Sequence, residues 1–104
     1  QHRYQESVEA FRRATELNPS DLNAHVNWAI ALNSLEKTDE AIGRLDTALS
    51  ISTNSLSAHL NLARFLVPSK DWDRVRLHLD EVLRLDPDNA EAKEALRKVG
   101  SLDP

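Results

Sequence analysis

Four histidines, His2, His25, His59 and His78, are the side chains of this 104-residue sequence most suited to metal or proton chemistry. A 34-residue step separates His25 from His59. If that step is one pair of packed helices, their imidazoles lie ~10 Å from each other. Zinc holds its ligands at ~2 Å, so the two cannot share an ion. Packing between helices is the expected role. Asp71, Asp73, Asp80 and Glu81 crowd one segment, but without the alternate spacing and glycine of a calcium loop. A solvated helix face is expected there.

The sequence has no cysteine, which removes a thiol nucleophile, a disulfide framework and a cysteine zinc site together. Gly43 and Gly100 are its only glycines, too few for a phosphate-cradling loop. Catalysis needs a nucleophile, a base and an orienting group that converge, and no such set assembles. The expectation is no catalytic residue, no cofactor and no metal, hence no enzymatic activity within this segment. Asn27 and Asn61, separated by the same step as the two histidines, offer binding chemistry instead. Asparagine inside a helix costs about 0.5 kcal/mol relative to alanine. Its carboxamide carries a donor and an acceptor, the complement of one peptide unit.

Composition narrows the partners. Apolar residues make up 40% and charged residues 29%, too apolar and too varied for a disordered chain. The formal net charge of −4 comes without a basic run, so nucleic acid is not an expected partner. The longest apolar run, Trp28 to Leu32, falls far short of the ~20 residues of a membrane helix, and no membrane insertion is expected. No methionine occurs, and helical periodicity begins at the first residues, as expected of a piece excised from a longer chain. A cytoplasmic setting is favoured.

The elements that position these residues follow from a repeat. Shifted by one such step, Leu22-Asn23-Ala24-His25-Val26-Asn27 overlies Leu56-Ser57-Ala58-His59-Leu60-Asn61. Likewise Leu17-Asn18-Pro19 overlies Ile51-Ser52-Thr53 and then Leu85-Asp86-Pro87. The chain divides into a leading second helix (1–21), two whole units (22–55 and 56–89) and a capping helix with its tail (90–104). Within the first whole unit, apolar residues recur at helical spacing from Leu22 to Ser34 and again from about Thr38 to Ile51. Thr38, Asp71 and Asp88 are the expected N-caps, Asp88 with Glu91 at capping-box spacing. Pro68 should stop a helix at about Val67, and Gly100 should end the last one. No segment alternates with period two, so no sheet is expected.

At this point the chain resembles a tetratricopeptide repeat array. The family's aromatic, leucine, small and tyrosine slots, followed by its second-helix slots, hold His25, Trp28, Ala29 and Leu32, then Ala41, Leu45, Ala48 and Thr53. The next unit has His59, Leu62, Ala63 and Leu66, then Val75, Leu79, Val82 and Pro87. Phe11, Ala14 and Pro19 fit the leading fragment. The implied fold is all-α, a right-handed superhelical solenoid of antiparallel helix pairs. Two departures stand out. Val75 and Val82 replace small residues, which predicts a more open last pair. Glu36 and Lys70 replace the loop glycine, which predicts altered geometry there.

The resemblance also implies a concave groove lined by the first helix of each unit, and a protein or peptide as partner. The stripe then comprises Asn23, Val26, Asn27 and Ile30, with Leu60, Asn61 and Arg64 from the next unit and Lys98 from the last helix. Val26, Ile30 and Leu60 would be apolar side chains facing solvent. Repeats stacked at ~10 Å match about three extended residues, so Asn27 and Asn61 would clamp a peptide backbone at every third residue, as in some arrays of this family. Another mode in the family grips a terminal carboxylate with lysines, asparagines and an arginine. Val26 and Ile30 stand for its Lys and Asn, and Glu91 and Ala95 for its Lys and Arg, which argues against it. The leading helix keeps Tyr4, Val8 and Phe11 on a stripe that one neighbour covers in part. An upstream helix or a second copy of the chain would complete it. The whole could equally be the targeting array of a larger enzyme.

Overall fold

The computed structural model describes residues 2–103. Six helices follow one another: α1 (His2–Leu17), α2 (Leu22–Ser34), α3 (Thr38–Ile51), α4 (Leu56–Leu66), α5 (Trp72–Leu85) and α6 (Ala90–Leu102). A 3-10 turn over Val67–Ser69 joins α4 to α5. No strand occurs among the described residues. The helices stack as antiparallel neighbours in chain order, and α2 also touches α4. The assembly measures 41 × 26 × 19 Å.

The core is built from the slots that repeat. Ala29, Ala41, Leu45, Ala48, Ala58, Leu62, Val82 and Ala92 are completely buried. Their alanines let backbones approach, and the leucines fill the space left between units. Val75 and Val82 are buried as well, and a cavity opens between their helix pair and α6. His25 and His59 lie within this core. Each donates Nε2–H to the carbonyl of the turn before its own helix, His25 to Pro19 and His59 to Thr53, both at 2.9 Å. The imidazole therefore pins each turn to its first helix.

The caps also repeat with period 34, at positions other than those expected. Asp21, Ser55 and Asn89 each accept the amide of the residue three ahead, satisfying one of the orphan donors of α2, α4 and α6. Asp71 caps α5 as expected. Thr38 does not cap α3; Lys37 precedes that helix without a side-chain bond, and the Thr38 hydroxyl donates to Asn33 Oδ1 at 2.9 Å. Asp88 points into solvent because Asn89 already takes its place.

The breaks between helices differ in detail too. α4 stops at Leu66, just before the Val67 that precedes Pro68. Gly100 stays helical, and α6 runs on to Leu102. Glu36 and Lys70 both adopt the left-handed conformation a glycine would take, with φ of 63° and 60°, and the two turns differ in that Lys70 follows the 3-10 turn. After α2 the chain closes a Schellman turn, with Lys37 N–H on Leu32 O and Glu36 N–H on Asn33 O.

Candidate functional site: the face of the first helices

α2, α4 and α6 present one side each to the same face. On α2, Asn23, Asn27 and Ile30 are exposed, and the Asn27 carboxamide makes no hydrogen bond among the described residues. Val26 is not on this face. It is 5% exposed and belongs to the core, on the flank of α2 about 100° round from Asn27.

Asn61 occupies the same register on α4 in a different state. It is buried, its amide donates to Ser57 O at 2.9 Å, and its oxygen accepts from Arg64 Nη1 at 3.1 Å. The two asparagines are therefore unequal: Asn27 is open and Asn61 is folded back onto its own helix. Arg64 continues the chain of contacts, holding Glu91 of α6 through two bonds of 2.7 and 2.6 Å. That fork keeps the Glu91 carboxyl below the usual carboxylate range. The line Ser57, Asn61, Arg64, Glu91 thus ties α4 to α6. Glu91 is the partner that sequence spacing misses, since it and Arg64 lie 27 positions apart, short of the repeat step.

Behind this bridge lies an apolar cavity of about 160 Å³. α5 supplies its floor through Trp72, Val75 and Leu79, and half-buried Leu60 forms one wall. Lys98 stands at its rim without a carboxylate within salt-bridge distance among the described residues.

At the opposite end, α1 leaves Tyr4 46% and Leu17 88% exposed, whereas Val8 and Phe11 are half-covered by α2. No group of three or more metal-ligating side chains occurs among the described residues. Nor is any helix among them long and apolar enough to cross a membrane.

A family model described as tetratricopeptide repeat matches residues 32–99, and a second of the same description matches residues 2–21. The chain belongs to the tetratricopeptide repeat family. Among relatives, RNA polymerase II-associated protein 3 of Xenopus tropicalis is 28% identical over 96 residues, 92% of this chain. The chain spans only 15% of that relative's length. Among solved tetratricopeptide repeat structures, the first such domain of Spaghetti (RPAP3), bound to the HSP90 peptide SRMEEVD, superposes with a TM-score of 0.92 at 22% identity. That match covers 98% of this chain and 83% of the other. The TPR2B domain of yeast Sti1, in complex with an Hsp70 peptide, gives 0.88 at 20% identity, covering 97% and 86%. At these identities the likeness is one of fold.

Proposed function

We propose that this tetratricopeptide repeat segment is a non-catalytic protein-interaction module, organised as the leading helix, two units and capping helix set out above, that binds an extended peptide across α2, α4 and α6. The observation that carries this reading is the Asn27 carboxamide, exposed on α2 with both its donor and its acceptor uncommitted, beside exposed Ile30. A backbone amide of a passing strand satisfies both groups at once. Asn23, Leu60, Arg64 and Lys98 contribute side-chain contacts, and Asn61 acts through Arg64 rather than as a second rung. That the similar Spaghetti and Sti1 domains hold peptides supports a peptide as the ligand.

The test is a peptide-array screen followed by affinity measurements on Asn27→Ala. A loss of about five- to tenfold with unchanged helicity is expected, one hydrogen bond to a largely desolvated amide being worth about 1–1.5 kcal/mol. Unchanged affinity sinks the role given to Asn27.

A second reading, self-association through α1, is favoured by one observation, the exposure of Tyr4 and Leu17 beside Val8 and Phe11. Light-scattering mass over a hundredfold concentration range decides it. A constant value near 11.7 kDa rejects it, and a rise toward twice that mass supports it. Because the chain spans a small part of its relative, the segment also suits a targeting role within a larger protein.

A further inference from the structure

The cavity behind the Arg64–Glu91 bridge is nearly all apolar, yet it opens on the face proposed to bind peptide. Its volume of about 160 Å³ compares with the ~150 Å³ engineered cavity that accepts a benzene molecule. One leucine, methionine or phenylalanine side chain fills such a space. The charges around the mouth are unequal. Arg64 is neutralised by a bidentate contact with Glu91, whereas Lys98, two turns along α6 from Glu91, has no salt-bridge partner among the described residues. Glu94, which feels the Lys98 charge, is already paired with Arg97. The rim therefore carries one positive charge open to a ligand, at the Lys98 side.

We infer that this cavity is a subsite for a single large apolar side chain of a bound peptide, with an acidic side chain next to it that pairs with Lys98. The inference rests on the peptide-binding reading above. Glu91 sets the specificity by holding Arg64. A ligand carboxylate that approached Arg64 would have to displace Glu91 and leave it unpaired beside the ligand's own charge. The acidic group is thereby directed to Lys98. Ala95, on the wall of the cavity, keeps the entry open because it is small.

The probe is a heptapeptide of glycine and serine with Leu-Glu at its centre, acetylated and amidated so that its only carboxylate is the glutamate. Trp72 lines the cavity and Trp28 does not, so the two indole N–H resonances, assigned through Trp72→Phe, report where it binds. The Trp72 resonance should move on titration while that of Trp28 stays. Replacing the probe's Leu by Ala should weaken binding about tenfold. Replacing its Glu by Gln should weaken binding about two- to fivefold, a difference that Lys98→Gln should erase. Glu91→Gln, by releasing Arg64, should strengthen binding of the Leu-Glu probe, and Ala95→Trp should block it.

An unmoved Trp72 resonance, or equal affinity for the Leu and Ala probes, overturns the subsite even if Ala95→Trp fails to fold. Peptides recovered from the array serve as the control for the underlying reading. If they bind with loss on Asn27→Ala while the probe does not reach Trp72, peptide binding stands and the subsite falls. If nothing binds, both fall.

Discussion

His59 and His78 meet Nδ1 to Nδ1 at 2.9 Å in the interior between α4 and α5. The Thr53 carbonyl, which accepts from His59 Nε2, settles how they share protons. A neutral His59 then has an acceptor at Nδ1, so His78 must donate its own Nδ1–H. An extra proton enters at His78 Nε2 and leaves the Nδ1–H donation in place, whereas protons on both Nδ1 atoms would break it.

This arrangement makes stability depend on pH. Burial lowers the affinity of His78 for a proton, and the neighbouring His59 and Arg74 lower it further, against weaker pulls from Asp46 and Glu81. A histidine whose pKa is lower folded than unfolded lends stability above its ordinary value of ~6.5 and loses it as pH falls through the folded value. The urea midpoint should therefore be highest above pH 7 and decline toward pH 5. His78→Gln should flatten that decline, and a parallel decline in both proteins would exclude His78 as its source.

One unit earlier, the position of His78 is taken by Arg44, whose guanidinium lies 4.8 Å from the Trp28 ring centroid. The counterpart of His59, His25, is left with a buried Nδ1 that has no partner, as does Trp28 Nε1. Arg44→His should give His25 the bond that His59 has. Removing the cation–π interaction costs about 0.5–1 kcal/mol, whereas the unsatisfied nitrogen costs about 1–3 kcal/mol. The variant should gain roughly 1 kcal/mol, visible as a rise in Tm. A fall would show that the Arg44–Trp28 interaction outweighs the orphaned imidazole.

The last helix offers a test at adjacent residues. Asn89→Ala removes the side-chain cap from α6 and should cost about 1 kcal/mol in urea titration. Asp88→Ala removes a solvated carboxylate 3.8 Å from Lys93 and should change stability by less than about 0.5 kcal/mol. The reverse order would restore Asp88 as the cap.

Much of the architecture is legible in the sequence because burial repeats. Apolar spacing alone bounds Leu22–Ser34 and Thr38–Ile51, and the small and leucine slots of both units are the core. Caps are harder. Asp88 and Asn89 are both good N-caps, and only the path of the backbone decides between them, although the 34-residue step joining Asp21, Ser55 and Asn89 chooses correctly. The face of the first helices is less legible still. Val26 and Asn27 are neighbours in sequence, yet a rotation of ~100° sends one into the core and the other to solvent. Asn61 matches Asn27 in type and register, but a local carbonyl and Arg64 claim its carboxamide. Arg64 is itself held by a contact to Glu91 that no periodicity announces.

Glu36 and Lys70 hold left-handed conformations that disfavour side chains by about 1–2 kcal/mol, less the entropy that glycine would lose on folding. Glu36→Gly and Lys70→Gly should each raise stability by roughly 0.5–1 kcal/mol in urea titration. They sit in separate turns and share no backbone partner, so the double variant should show the sum. A destabilising glycine would mean that the side chain makes a compensating contact.

Packing between successive helices has a consequence for how the array comes apart. α1 rests chiefly on α2, and α6 on α5 with the Arg64 bridge, whereas α3 and α4 are flanked on both sides. Such a chain need not open all at once; it erodes from its ends, each layer protecting the next. Amide hydrogen exchange should accordingly run as a gradient, fastest in α1 and slowest in α3 and α4. A ligand that spans α2 to α6 would then slow exchange in helices it never touches, by making the outer layers harder to shed.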